Sequence, residues 1–306
     1  MNIPSQAELS LASGKVAVIT RTKNRPMMLA RALESVAGQN RRDIVWMIIN
    51  DGGSPDPADN MAETARARGI SVQVIHHAAS RGMEAASNAG IRASRSEYLC
   101  IHDDDDTWQA GFLEKTISFL DSYPAYAGAV TQVTQVNETL EGDRIRITKK
   151  HAWRRPLESI YLADMARRNL FPPIALLFRR DAMEAVGFFN EDLPVLGDWD
   201  FHLRFLARFE IGVVNEYLAN YHQRKKAAGA YGNSIHFGLN LHLQYDARLR
   251  NQWLRQDLKN EYPGLGWLVN LSKPTRFEAL AEAAAETVYT IFERTGLLWL
   301  LRKLLP

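Results

Sequence analysis

Residues 15–50 read KVAVITRTKNRPMMLARALESVAGQNRRDIVWMIIN, and the fold class follows from the order of elements in that stretch. Lys15–Thr20 and Ile44–Asn50 are short apolar runs of strand length, without the alternation of a half-exposed strand. Between them, Pro26–Gln39 places Met28, Leu29, Ala32, Leu33 and Val36 on one helical stripe, with a proline in its first turn. Strand, helix and strand at this spacing predict a parallel pair joined by a right-handed crossover. The pattern continues: Asp56–Arg68 reads as a helix, Val72–His76 as a buried strand, Met83–Ala93 as a helix and Tyr98–His102 as a strand. The expected class is therefore α/β, a mainly parallel sheet flanked by helices. Ligands of such sheets sit beyond the carboxyl ends of the strands. Arg21–Arg25, Asp51–Ser54, His77–Gly82 and Asp103–Asp106 occupy those positions.

Composition narrows the function. The chain has 306 residues, 46% hydrophobic and 24% charged, enough for one large domain with an appendage. Thirty-seven Lys and Arg against 35 Asp and Glu leave +2, which gives no global basic field for nucleic acid. A single cysteine, Cys100, excludes an intrachain disulfide and a zinc ribbon, and fits a reducing compartment. The first fourteen residues carry one charge, Glu8, and no apolar run, so no secretory signal is expected. No segment approaches the roughly 20 apolar residues of a membrane span. These features point to a cytoplasmic enzyme.

Asp103-Asp104-Asp105-Asp106 is the strongest local signal. Four adjacent carboxylates disfavour one another's charged forms unless a cation or basic groups compensate. At a strand end they offer hard oxygen ligands suited to Mg²⁺ or Mn²⁺, and hence to a substrate with anionic oxygens such as a diphosphate. No Walker loop or G-x-G-x-x-G turn is present, which argues against ATPase and dinucleotide chemistry.

Five motifs occur in order between Lys15 and Arg224. Asn24-Arg25-Pro26 is followed by Leu29, Leu33, Ser35 and Gln39; then come Asn50-Asp51-Gly52 with Ser54, Asn88-Ala89-Gly90-Ile91, Asp103–Trp108 and Gly197-Asp198-Trp199. Together they resemble the inverting family 2 glycosyltransferases of the GT-A fold. Asp103–Trp108 matches that family's D-x-D-D-x-W and Gly197-Asp198-Trp199 resembles its E-D-W. Gly53 is an apparent insertion, and Gly197 stands where the family often has Glu. The resemblance implies a Rossmann-like nucleotide-diphospho-sugar transferase: a leader over 1–14, a GT-A domain over 15–226 and a helical C-terminal extension over 227–306.

By the same resemblance, Thr20, Arg21, Thr22, Asp51, Arg81, Asp103 and Asp104 bind the nucleotide. Asp51 accepts from the base, with an Asx turn beside Gly52 as a compatible role. Asp103 faces ribose or metal, and Asp104 also supports the loop together with Asp106. Asp105 and His222 ligate Mn²⁺ or Mg²⁺, Arg224 contacts the diphosphate, and Asp198 is the base. Asp198 opens a helical pattern over Asp198–Arg208, where an N-cap role competes; Asp200 is the fallback. The chemistry requires these parts. A departing nucleotide needs positive charge on its oxygens, and an acceptor hydroxyl needs a carboxylate to take its proton. The expected partners are a nucleotide-diphosphate sugar and a glycan or lipid-linked acceptor, in bacterial surface polysaccharide or glycoconjugate synthesis.

Further segments carry weaker signals. Ala127–Val136 reads as a strand, followed by turn signals at Glu141-Gly142-Asp143 and six basic residues, Arg144, Arg146, Lys149, Lys150, Arg154 and Arg155. These suit a solvated hairpin or a phosphorylated acceptor. Leu170–Ile174, ahead of a strand over Ala175–Arg179, lines the acceptor cleft or forms a packed loop. Lys225, Lys226 and Gly229–Gly232 read as a mobile loop. Ile235–Leu258 and Thr275–Leu305 look helical. Leu297–Leu301 followed by Arg302 and Lys303 suits an interfacial helix, internal packing or a subunit contact. Two other functions stay open: a D-x-D-x-T aspartyl-phosphate phosphatase through Asp103, Asp105 and Thr107, and a nucleotide-sugar-binding subunit without turnover.

Overall fold

A computed structural model describes residues 14–142, 144–224, 231–232 and 239–295. Thus most of the leader, the basic and glycine segment 225–230 and the apolar tail 297–303 lie outside the described residues. Among the described residues a nine-stranded sheet organises the fold. Its first half is the expected parallel one, with β1 (Val16–Thr22) hydrogen-bonded to both β2 (Ile44–Asp51) and β4 (Tyr98–Ile101), and β2 to β3 (Ser71–His77). Helices α1 (Pro26–Ala37), α2 (Asp56–Ala67) and α3 (Met83–Arg92) make the crossovers. Every residue of β2 is buried, as is nearly all of β1, which explains their unbroken apolar sequences. β3 is half-exposed rather than buried, because among the described residues it closes the sheet edge and pairs with β2 alone.

Beyond β4 the sheet becomes mixed. A short β5 (Thr107–Trp108) and α4 (Phe112–Ser122) lead into a long β6 (Tyr126–Glu141), which forms a hairpin with β7 (Arg144–Ala152). The basic residues 144–150 lie on this exposed hairpin arm. After α5 (Leu162–Arg167), β8 (Leu176–Arg179) lies antiparallel between β4 and β6. Next come α6 (Arg180–Val186), α7 (Gly197–Leu206) and β9 (Glu210–Gln223), the last running parallel to β6 and antiparallel to β5. His222 therefore sits near the end of a 14-residue strand.

The C-terminal region folds back onto this body. It comprises α8 (Leu239–Asn260), α9 (Leu265–Leu271) and α10 (Arg276–Arg294). Leu249 of α8 and Val269 of α9 join the same core as the sheet. Helix α9 lies in the Pro- and Gly-punctuated stretch that reads in sequence as a connector. Among the described residues no helix is long and apolar enough to cross a membrane.

Candidate active site

The carboxyl ends of β1, β2 and β4 open on a cavity of about 300 Å³, whose wall includes Arg21, Thr22, Asp51 and Asp103–Asp106. Beside it lies a second cavity of about 220 Å³, walled by Asp198, Asn169, Glu84, Trp153 and Phe171. Arg21, Met83, Asp103 and Tyr221 line both. The spaces meet at the first carboxylate of the acidic run.

Arginines supply the positive charge that the four aspartates require. Arg21 Nε donates to Asp103 Oδ1 at 2.8 Å, and its second terminal nitrogen reaches the same oxygen. Arg25 lies 2.9 Å from Asp104 Oδ1 and donates to Asp105 Oδ2 at 2.7 Å. Arg224, fully buried, also donates to Asp105 Oδ2, and Arg31 to the Asp105 carbonyl. Burial opposes the charge on Asp105, but Arg25 and Arg224 outweigh it and hold the carboxyl below its ordinary range. Asp104 goes the other way: burial raises it despite Arg25, and Thr22 Oγ1 donates to its Oδ2 at 2.8 Å. Asp106 is raised further by burial and by its acidic neighbours, and accepts the His222 amide at 2.8 Å.

Asp51 is fully engaged within the protein. Its oxygens accept from Ser80 Oγ at 2.7 Å and from the Arg81 and Gly82 amides at 2.8 and 3.0 Å, and His77 Nδ1 lies 2.7 Å away. Burial pushes this carboxyl up, but these donors hold it below its usual value. In this arrangement Asp51 ties the loop after β3 to the end of β2. The Arg81 side chain is exposed and lies 3.6 Å from Glu191, while its amide serves the site through Asp51. Thr20 does not reach the cavity: it is fully buried and its hydroxyl accepts from the Trp46 indole at 2.8 Å.

His222 lines neither cavity. Its Nε2 lies 2.9 Å from Thr107 Oγ1 and its Nδ1 2.5 Å from Glu138 Oε1. Both ring nitrogens are thus engaged by the scaffold in this arrangement. Glu138, on β6, also accepts from Arg31 at 2.7 Å and Arg224 at 3.1 Å. Sequence reasoning missed it, although an acid two places after buried Val136 on one strand face was a usable signal.

Asp198 sits on the second cavity at the start of α7. Its Oδ1 accepts the Trp199 amide at 2.8 Å and its Oδ2 accepts Asn169 Nδ2 at 2.7 Å. Burial raises its proton affinity against the lowering effects of the Trp199 amide and Arg21. Asp200 is buried and bound to Arg204 at 2.8 Å, so it faces away from this role. Phe171, Pro172 and Pro173 line the same cavity, as expected of a segment bordering a cleft.

Among the described residues no group of three or more His, Cys, Asp or Glu is arranged to hold a metal ion. The donor chemistry nonetheless suits a hard cation. Both Arg21 contacts to Asp103 fall on Oδ1, and Asp103 and Asp105 line one cavity. Mg²⁺ commonly takes only one or two protein carboxylates, with phosphate and water completing its shell.

The mixed, mostly parallel sheet with a carboxylate loop at the strand ends defines a GT-A nucleotide-sugar transferase fold. The profile described as Glycosyl transferase family 2 matches residues 17–187, more than half of the chain, which therefore belongs to that family of glycosyltransferases. The chain is similar to the glycosyltransferase YwdF of Bacillus subtilis (strain 168), with 26% identity over 64% of this chain and 70% of that one. It is 24% identical to a PGL/p-HBAD biosynthesis glycosyltransferase of Mycobacterium tuberculosis, over 63% of this chain and 70% of the relative. S. aureus TarS 1–349 in complex with UDP-GlcNAc shares the fold at a TM-score of 0.57 and 16% identity, over 71% of this chain and 60% of that one. The mannosyltransferase PcManGT of Pyrobaculum calidifontis, in complex with GDP-Man and Mn²⁺, gives 0.55 and 16% over 96% of this chain and 84% of its own. The phosphatase reading falls with the family assignment and with the place of Asp103 after the fourth strand.

Proposed function

We propose that this glycosyltransferase moves a sugar, with inversion, from a nucleotide diphosphate in the first cavity to a hydroxyl of a glycan or lipid-linked acceptor in the second. The observation that carries it is the junction of the two cavities at Asp103, with Asp198 on the acceptor side. UDP, UDP-GlcNAc and GDP-Man, bound by the structural neighbours, indicate the donor class. Asp103 and Asp105 would hold Mn²⁺ or Mg²⁺, which when bound supplies positive charge to the diphosphate oxygens. Arg21 and Arg25 orient the anionic donor and share its charge, and Arg224, buried behind Asp105, adds positive charge at that carboxylate. Asp198 takes the acceptor proton through an oxygen lone pair not used by Trp199 or Asn169. Attack opposite the departing diphosphate inverts the anomeric carbon, and no enzyme nucleophile is needed.

A role in bacterial surface polysaccharide or glycolipid synthesis fits this chemistry. Helix α10 exposes Phe277, Leu280, Val288 and Ile291 along one stripe, which suits a membrane carrying the acceptor. Equal flotation with liposomes by the full chain and a chain lacking residues 276–306 would remove that membrane role.

The test begins with calorimetric binding of nucleotide-diphosphate sugars with and without Mn²⁺. Asp105→Ala should lose the metal-dependent part of donor binding. Asp198→Asn should keep donor binding and lose about 10²–10⁴-fold in transfer rate, the usual contribution of general-base catalysis. An Asp198→Asn enzyme with full turnover would move the base elsewhere.

A further inference from the structure

Helices α3 and α7 meet on the wall of the second cavity at Glu84 and Gly197. A Cβ on Gly197 would lie 2.3 Å from Glu84 Oε1 and 2.4 Å from its carboxyl carbon. The three nearest heavy atoms to that position all belong to the Glu84 side chain. Glu84 therefore fills the volume that a side chain directly before Asp198 would occupy. The residue is 4% exposed, and its Oε2 is buried without a hydrogen-bond partner. Arg21 stands 3.7 Å from that oxygen, while its own short hydrogen bonds go to Asp103 and its NH1 also reaches Ser87. Leaving a buried carboxyl oxygen unpaired costs about 1–3 kcal/mol, and more when it is charged. Burial also raises the proton affinity of Glu84, to about 8, with Arg21 opposing. The group lines the same cavity as Asp198.

We propose that Glu84 is a substrate-binding residue, whose Oε2 pairs with a hydroxyl of the sugar at the transfer point and so fixes that sugar against Asp198. A sugar hydroxyl suits the site because it can donate to a carboxylate or accept from a carboxylic acid. The acid thus comes from α3, in space that α7 leaves open at Gly197. The inference rests on reading the second cavity as the place where the sugar is transferred. Glu84 binds and orients; proton removal stays with Asp198.

The test compares wild type with Glu84→Gln, Glu84→Ala and the double variant Glu84→Ala/Gly197→Glu. The probes are methyl glycosides of glucose, galactose, mannose and N-acetylglucosamine, titrated by ligand-observed NMR into protein saturated with UDP or GDP and Mn²⁺. Glu84→Ala should weaken the best glycoside by about tenfold, the loss of one hydrogen bond. Glu84→Gln should fall between, and the double variant should recover most of the loss by restoring a carboxyl from the other helix. One monodeoxy analogue should bind wild type about tenfold more weakly yet bind Glu84→Ala no worse than its parent glycoside. If the affinity gap between UDP and UDP-GlcNAc, or between GDP and GDP-mannose, narrows in Glu84→Ala, the bound hydroxyl belongs to the donor sugar; an unchanged gap places it on the acceptor. Equal glycoside binding by all four folded proteins overturns the proposal. So does the absence of glycoside binding to wild type when the nucleotides still bind. Failure of the nucleotides themselves strikes the transferase reading instead.

Discussion

Asp198 is held by a short relay of neutral groups. Asn169 donates to its Oδ2 at 2.7 Å, and His202 Nδ1 lies 3.1 Å from Asn169 Oδ1. Asn169 Oδ1 can only accept, so His202 Nδ1 carries a proton in this relay. Burial enforces the neutral state by lowering the His202 pKa from 6.5 to about 3. The folded protein thus resists a proton that the unfolded chain accepts. Stability is fully present above pH 6.5 and is lost as pH falls from there toward 3. By pH 5 the loss from this group alone is about 2 kcal/mol. Urea unfolding from pH 7.5 to 5 should show this decline, and His202→Gln should flatten part of the slope; an unchanged slope would mean that His202 titrates normally. The acid of this relay was legible in the sequence, since Asp198 opens a recognisable motif. Asn169 and His202 were not, because a hydrogen-bonded partner 29 residues away leaves no periodic trace. The partners of Glu138, namely Arg31, His222 and Arg224, likewise come from distant segments, although its own place on the strand face was readable.

The strands and crossover helices were legible because burial on both faces leaves unbroken apolar runs, as in β1 and β2, and amphipathic helices leave stripes, as in α1. Helix α9 escaped because seven residues flanked by Pro and Gly look like a connector, and contact with α8 stabilises it. The compensation of the acidic run escaped in part. Sequence showed that a cation or basic groups were needed, and the fold brings three arginine side chains to those carboxylates from the β1 end, the β1–α1 loop and the end of β9. That loop depends on α3 lying close to β1. A Cβ on Gly90 would come 2.7 Å from Ile19 Cγ2, in the middle of the buried sheet. Alanine gains up to about 1 kcal/mol in helix propensity, but overpacking a site that cannot yield costs about 1–3 kcal/mol. Ile19 is fully buried in a central strand, so the steric cost wins. Gly90→Ala should lower the thermal midpoint and weaken nucleotide binding together. A stabilised Gly90→Ala protein would show that α3 can lift from the sheet without disturbing the site.

On the scale of the whole molecule, a buried cation adds to the shared core in tying α8 and α9 to the catalytic body. Arg250 of α8 is 4% exposed and donates to the carbonyls of Val269 on α9 and Ala166 on α5. Its guanidinium also lies over the Trp199 ring at 4.8 Å, and Asp246 accepts from its Nε at 2.7 Å. Trp199 in turn donates its indole N–H to the Met165 carbonyl at 2.6 Å, and Asp198 is its chain neighbour. Helices α8, α9, α5 and α7 therefore share this anchor, which reaches the acceptor side of the site. Arg250→Ala leaves two buried carbonyls short of a donor and removes the cation from the indole, at a combined cost of about 2–4 kcal/mol. Asp246 keeps Lys273 at 3.1 Å, which limits the charge imbalance. The expected variant is folded but less stable, with earlier proteolytic cleavage between α8 and α9. Because the first cavity lies away from this anchor, nucleotide binding should be unchanged while transfer falls, as Trp199 and the neighbouring Asp198 lose their fixed position. Arg250→Lys, which keeps the charge but not the fork of donors, should restore stability only in part. Parallel loss of nucleotide binding and transfer in Arg250→Ala would instead mean that the helices support the whole sheet rather than the acceptor side.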